Sequence, residues 1–238
     1  MASCSETLEL ASPDRKTIQS FFNQIARPYD FLNSFLSLGL DHHWRSELVQ
    51  HSLSGREHSM LDLGVGTGKS LAAFCRVHHF DRAVGCDFSE RMLQTAKGRF
   101  NNSVSLIAGD VHELPFGSGM FDLVTGSFML RSVQNLSLFF SEVKRVLRPD
   151  GKATFLDLTR PTNFFFRRFC FEPYLKFYVP WMGRLFSKHS EAYRFLSASV
   201  QSFIEPSDLK KEFESAGFAQ IFISRLNFGI ATIIQGVN

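Results

Sequence analysis

Three observations predict an α/β fold built on an open seven-stranded sheet whose last two strands form an antiparallel hairpin. Between residues 59 and 158, short apolar runs alternate with amphipathic helical stripes, the rhythm of βα units feeding a parallel sheet. The first run breaks into a glycine-rich loop, and an aspartate closes the second run about 20 residues later. The chain ends in one helix and two β-rich runs separated only by a short turn, too little chain for a parallel crossover.

The organising stretch is Ser59-Met60-Leu61-Asp62-Leu63, a strand, followed by Gly64-Val65-Gly66-Thr67-Gly68, a tight loop, and Lys69-Ser70, a helix start. Alternate glycines let the backbone take positive φ and let a ligand lie against the main chain. Two phosphate-binding motifs compete for this loop, and spacing excludes both. A P-loop requires a glycine five positions before that of Gly68-Lys69-Ser70, where Leu63 stands. A dinucleotide fingerprint places its third glycine three after the second, whereas Gly68 follows Gly66 by two. The remaining pattern, Asp-Leu-Gly-x-Gly-x-Gly, resembles motif I of the class I methyltransferases that use S-adenosylmethionine. Asp62 suits the cationic methionine amino group rather than a phosphate.

The other elements follow in order. Residues 1–13 are small and polar and carry no chemistry. Ile18, Phe21, Phe22 and Ile25 form a helical stripe ending before Pro28, and Tyr29, Leu32, Phe35 and Leu36 form a second. Ser37 to Arg45 reads as a polar and aromatic loop leading into a short helix near Glu47 to Leu53. After the glycine loop, helix Leu71 to Val77 precedes strand Ala83 to Asp87, and in a doubly wound sheet Asp87 lies beside a cofactor ribose. Ser89 caps a helix bearing Met92, Leu93, Ala96 and Phe100. Strand Val104 to Ala108 leads to Gly109-Asp110-Val111 at the adenine end, and strand Phe121 to Ser127 delivers Ser127 to the crevice. A helix from Asn135 closes at Arg148-Pro149-Asp150-Gly151, a turn that feeds strand Ala153 to Leu158. Between Arg160 and Glu205 aromatic and basic residues suggest short helices over the crevice. Helix 206–216 and strands Ala219 to Arg225 and Gly229 to Gln235 then complete five βα steps and a hairpin.

The 238 residues suit one domain, 1–238, with a sizeable core. A net charge of +3 is too small to imply nucleic acid. Cys4, Cys75, Cys86 and Cys170 are too scattered for a metal site and read as reduced thiols. The N-terminus lacks the apolar core of a signal peptide, and no apolar run reaches the ~18 residues of a membrane span. A cytoplasmic protein is expected, with peripheral attachment at the inner face of a membrane compatible with this sequence. The anomaly is phenylalanine, with 27 residues.

A set of motifs carries a more specific resemblance: Tyr29-Asp30, Asn33, Ser37, Gly39 and Trp44-Arg45; Asp62-Leu63-Gly64; Asp87-Phe88-Ser89-Glu90-Arg91-Met92-Leu93; Leu114-Pro115-Phe116; Leu130-Arg131; Arg145-Val146-Leu147-Arg148-Pro149; and Tyr193-Arg194-Phe195-Leu196. Together, from about Phe21 to Gly236, they resemble the UbiE/MenG family of C-methyltransferases in menaquinone and ubiquinone biosynthesis. The resemblance implies a class I, Rossmann-like fold divided into an N-terminal helical, substrate-side region (14–58), a cofactor core (59–158), an aromatic helical insertion (160–205) and a C-terminal helix and hairpin (206–238). It implies S-adenosylmethionine contacts at Asp62, Gly64, Gly66, Thr67, Gly68, Asp87, Asp110, Val111 and Ser127. Three positions depart from the family pattern and bear on the substrate subclass. Ser132 stands for the asparagine of a Leu-Arg-Asn element, Lys69 for an acid after Gly-Thr-Gly, and Asp41 for a histidine three before Trp44.

The implied reaction is methylation of a ring carbon of a lipid-soluble polyprenylated quinol, demethylmenaquinol before a benzoquinol. Proton removal from a ring hydroxyl activates the carbon. Arg131 is expected to stabilise the phenolate or to orient a water that takes the proton, with Tyr29 and Asp41 as further polar contacts. The segment Asn163 to Lys188, rich in large aromatic rings and carrying Arg167, Arg168, Lys176, Arg184 and Lys188, reads as a substrate gate facing lipid. A homodimer is compatible with these features. A soluble small-molecule methyltransferase and a non-catalytic scaffold remain as alternatives. A nucleic-acid enzyme does not fit, since Gly126-Ser127-Phe128-Met129 lacks the Asn/Asp-Pro-Pro-aromatic motif.

Overall fold

A computed structural model of the chain describes residues 15–25, 29–100, 103–178, 199 and 205–238. Pro28, Trp181, Arg184, Phe186, Lys188 and the Tyr193-Arg194-Phe195-Leu196 motif lie outside the described residues. Among the described residues three helices come first, α1 (Arg15–Ile25), α2 (Tyr29–Leu36) and α3 (Leu40–Ser52). Then follow β1 (Ser59–Leu63), α4 (Lys69–Val77), β2 (Arg82–Asp87), α5 (Glu90–Phe100), β3 (Ser105–Ala108), β4 (Phe121–Ser127), α6 (Leu136–Val146) and β5 (Leu147–Leu158). A helical run begins as α7 (Phe164–Phe166) and continues through π-helical turns Arg167–Phe171 and Tyr174–Tyr178. Helix α8 (Pro206–Ser215) and strands β6 (Ala219–Leu226) and β7 (Ala231–Val237) end the chain.

The seven strands form one sheet in the order β3-β2-β1-β4-β5-β7-β6. Neighbours from β3 to β5 are parallel, and β7 runs antiparallel to both β5 and β6, as the sequence predicts. Strand order reverses between β1 and β4, so the carboxyl ends of those two strands open a crevice. The step from β3 to β4 is an irregular loop with no helix, which reduces the expected run of βα steps.

Helices cover both faces. Leu61 and Leu63 of β1 pack with Phe139, Phe140 and Val143 of α6 and Phe213 of α8, whereas Met60 packs in the opposite layer with Trp44 and Leu48 of α3 and Leu71 and Phe74 of α4. Period-two alternation sends these neighbours in β1 to opposite layers. Part of the phenylalanine excess is core. Phe140 meets Phe139, Phe155 and Phe213 at centroid distances of 4.9, 5.9 and 4.4 Å.

Two local expectations need correction. Asp41 to Arg45 belong to α3, not to a loop. Left-handed Leu38 and Gly39 reset the chain direction, and the Ser37 hydroxyl accepts the Asp41 N–H at 3.2 Å, so the helix starts at Leu40. Its buried positions, Asp41, Trp44, Arg45, Leu48, Val49 and Ser52, keep helical spacing, but two are charged, and hydropathy alone conceals the stripe. Strand β5 starts at Leu147 rather than Ala153. Leu147 pairs with Phe121 and Lys152 with Leu123, and the expected turn at 148–151 is an irregularity within that pairing, with Asp150 at φ 62.

Phe140 is fully buried at the centre of these rings. Phe140→Ala is expected to lower unfolding free energy by about 3–5 kcal/mol in a denaturant titration.

Candidate functional site

The loop 64–68 lies at the β1 end of the crevice, where Gly64 and Gly66 line a cleft together with Tyr29, Asp87, Asp110, Val111 and Ser127. Seven of the twelve residues expected from the sequence therefore share one wall system. Gly66 has φ 54, and a Cβ there would meet only the Gly64 carbonyl oxygen at 3.9 Å, so it keeps the cleft floor open. Gly68 serves packing instead. It has φ 83, and a Cβ would meet the Phe100 ring at 2.6 Å.

Asp87 organises the loop. Its Oδ2 accepts the Gly66 N–H and its Oδ1 the Ser89 N–H, each at 2.8 Å. Burial pushes this carboxyl up to about 6, against the pull of the backbone donors. Asp62 is 1% exposed and lies beneath the loop rather than on the cleft surface. Thr125 Oγ1 donates to it at 2.9 Å, and burial pushes it up to about 7. Thr67 also turns away from the cleft. Its hydroxyl donates to Asp30 at 2.5 Å, and Arg99 closes the cluster by donating to the Thr67 carbonyl and pairing with Asp30. Asp110 accepts from the backbone and from Nδ1 of His112, which therefore lines the cleft with a fixed ring.

Several cleft residues escape sequence reasoning. Ile18 and Phe22 of α1, expected only as packing, close over the cleft and meet Tyr29 and Phe88. No local signal shows that α1 folds back so far; the Gln19 side chain holds it by donating to the Phe88 carbonyl at 2.5 Å. His112 carries a faint signal, one residue beyond the Asp110-Val111 pair.

Arg131 and Asp41 line a second, apolar cavity of about 280 Å³ between α2, α3 and the 164–178 helical run. Leu36, Leu158, Phe171 and Leu175 form much of its wall. Arg131 pairs with buried Asp157 through NH1 and through its backbone N–H. Its Nε is buried and finds no partner among the described residues. Asp41 is an anchor, accepting from Ser34 and Ser37 at 3.2 Å each and lying 3.5 Å from Lys69 Nζ. Two of the three departures from the family pattern, Lys69 and Asp41, are thus partners. The third, Ser132, lines the cleft, and its hydroxyl lacks a partner among the described residues. Tyr29 lies on the cleft side and not in this cavity, where burial holds its hydroxyl above the ordinary tyrosine value against the charge of Arg131.

The glycine floor, a carboxylate at the end of β2 and an apolar wall beyond it fit an adenosyl group with its ribose at Asp87. Proteins of one family resemble this chain along nearly its whole length. The model of the ubiE/COQ5 methyltransferase family matches residues 10–238. The demethylmenaquinone methyltransferase of Chlamydia pneumoniae is 36% identical over 93% of this chain and 94% of that protein. That of Thermotoga maritima is 34% identical over 93% of this chain and 96% of that protein. A solved structure of an S-adenosylmethionine-dependent methyltransferase from Thermotoga maritima superposes with a TM-score of 0.65 at 19% identity, covering 92% and 99% of the two chains, and shares the fold.

Because the folded-state value of Asp87 is raised, its carboxyl holds a proton below about pH 6 that hydroxyl donors of a ligand must displace. Affinity for S-adenosylhomocysteine is therefore expected to rise about tenfold from pH 5 to pH 7 and then level off. Calorimetry in two buffers of different ionisation enthalpy should record proton release near pH 6. A flat profile would remove Asp87 from the ribose site.

Proposed function

The chain belongs to the ubiE/COQ5 methyltransferase family and is an S-adenosylmethionine-dependent methyltransferase, and from that premise we propose that it methylates a ring carbon of a polyprenylated quinol, demethylmenaquinol above all. The observation that carries this reading is the apolar cavity beside the cleft, with Arg131, paired to buried Asp157, in its wall. An apolar enclosure suits a naphthoquinol ring, and one buried cation suits the oxygen that becomes negative. The names of the Chlamydia and Thermotoga relatives favour the naphthoquinol over a benzoquinol.

S-Adenosylmethionine, when bound, supplies an electrophilic methyl group; Asp87, Gly64, Gly66 and Val111 would hold it. Asp157 holds Arg131 in place in the cavity wall, from which its guanidinium would donate to the ring oxygen as that oxygen's proton leaves to water. That donor stabilises the phenolate and thereby the nucleophilic carbon. The described parts of 14–58 and 160–205 supply the acceptor side in this reading, while α1 also shields the cleft from water through Ile18 and Phe22.

The direct test supplies methyl-labelled S-adenosylmethionine with a 2-prenyl-1,4-naphthoquinol and reads the product by mass spectrometry. Transfer to the ring carbon is expected with the quinol and none with the oxidised quinone; no transfer to naphthoquinol or benzoquinol would sink the reading. Arg131→Ala would strand the Asp157 charge in the core. Arg131→Lys keeps a cation but loses the planar guanidinium that can hold Asp157 and a ring oxygen together, and should lower kcat about 100-fold with cofactor affinity unchanged.

A lipid acceptor also requires access to a bilayer. Phe164, Phe165, Phe169 and Phe177 are 59–71% exposed on the 164–178 run, whose Phe166, Cys170 and Phe171 line the cavity. Leu38, another cavity residue, is 76% exposed. This apolar rim supports peripheral docking on a membrane. Arg167 and Arg168 beside it approach Glu172 at 3.8 and 3.6 Å, so their charge is partly answered within the chain. Among the described residues no helix is long and apolar enough to cross a membrane. In flotation with phosphatidylglycerol vesicles, Phe165→Ser with Phe169→Ser should weaken binding about tenfold or more. Flotation equal to that of the unaltered protein would show that this rim does not meet lipid.

A further inference from the structure

Among the described residues Phe128 alone lines both the cofactor cleft and the acceptor cavity, so whatever passes between them passes its ring. Its backbone lies in the left-handed region at φ 60, rare for a bulky side chain and retained only where surrounding contacts over-determine it. Those contacts are present. The Phe128 N–H donates to the Leu156 carbonyl at 2.7 Å, which fixes the main chain at the end of β4. Trp44 packs against the ring at 6.2 Å and is itself held by its Nε1–H donating to Asn227 at 2.6 Å. The Arg45 guanidinium stands over the ring face, 4.8 Å from the centroid.

Arg45 is anchored as well. Its NH1 donates to Ser70 Oγ at 2.5 Å, and Ser70 Oγ lies 2.7 Å from Ser127 Oγ in the cleft. Asp41 approaches Arg45 Nε at 3.8 Å from the cavity side. The ring is thus held by groups of α3, which are themselves anchored to α4 and to the β6–β7 turn, and the cation over its face adds electrostatic attraction to the apolar packing. Such expense of strain and contacts at a simple apolar partition would be out of proportion to the volume filled.

We infer that Phe128 is a positioning residue for methyl transfer: its fixed ring is the wall against which the acceptor ring rests, setting the distance and angle between the two cavities' occupants. The inference deepens the quinol reading and rests on it. Its chemical requirement is a flat aromatic surface, which offset or edge-to-face contact with a naphthol ring needs and an aliphatic side chain of similar bulk does not supply.

The test compares Phe128→Tyr and Phe128→Leu with the unaltered protein in three measurements: S-adenosylhomocysteine affinity and 1-naphthol affinity by calorimetry, and turnover of a soluble naphthoquinol. Because Phe128 also lines the cofactor cleft, folding is read separately from a cooperative thermal transition in both variants, and Phe128→Leu should lose less cofactor-product affinity than naphthol affinity. Phe128→Tyr should keep naphthol affinity and kcat within about threefold, whereas Phe128→Leu should weaken naphthol binding about tenfold and lower kcat by about tenfold or more. If Phe128→Leu binds naphthol and turns over like the unaltered protein, the ring has no positioning role. If the unaltered protein binds S-adenosylhomocysteine but neither binds naphthol nor methylates the quinol, the acceptor reading itself fails and this inference falls with it.

Discussion

The contact on which the site depends is the pair of backbone hydrogen bonds received by Asp87. One comes from Gly66, in the middle of the glycine loop, and the other from Ser89, at the head of α5. One carboxylate at the end of β2 therefore ties the β1–α4 loop to the β2–α5 turn across the parallel pair. Because loop and acid stand at neighbouring strand ends, the cleft keeps its floor and its polar corner in constant relation. Burial charges that arrangement with a cost, visible in the raised values of both Asp87 and Asp62. Of the two acids only Asp87 lines the cleft; Asp62 is held beneath the loop by Thr125.

A second layer of polar contacts joins the N-terminal helices to this floor. Lys69 at the start of α4 donates to the Asp30 carbonyl and to Ser34 of α2 and pairs with Asp41 of α3. Thr67 and Arg99 both hold Asp30, so α2 is attached to the loop at several points. The Lys69–Asp41 pair extends the same attachment to α3.

The phenylalanine excess divides by location. Phe139, Phe140, Phe155 and Phe213 form a ring cluster beneath α6 and α8 and hold the sheet, while Phe164, Phe165, Phe169 and Phe177 project from the helical run beside the cavity. Composition alone cannot separate these groups. The first is buried because period-two strands and an amphipathic α6 aim it inward, and the second stays exposed because the run beside the cavity buries chiefly Phe171 and Leu175.

By itself the sequence determined the strand order class, the glycine loop and the acid at the end of β2, since these rest on local periodicity and on spacing within one βα unit. It located Asp87, Asp110, Val111 and Ser127 because parallel strands deliver their carboxyl ends to one edge regardless of detail. Only the tertiary structure decided which way each side chain turned there. Thr67 and Asp62, one and two positions from glycines that line the cleft, face protein instead, because Asp30 and Thr125 offered them buried hydrogen-bond partners. It also brought α1 over the cleft, made a helix of Asp41 to Arg45 and set Phe128 between the two cavities. These depend on contacts between residues far apart in the chain, Trp44 with Asn227 and Gln19 with Phe88 among them, and no local pattern encodes such long-range pairing.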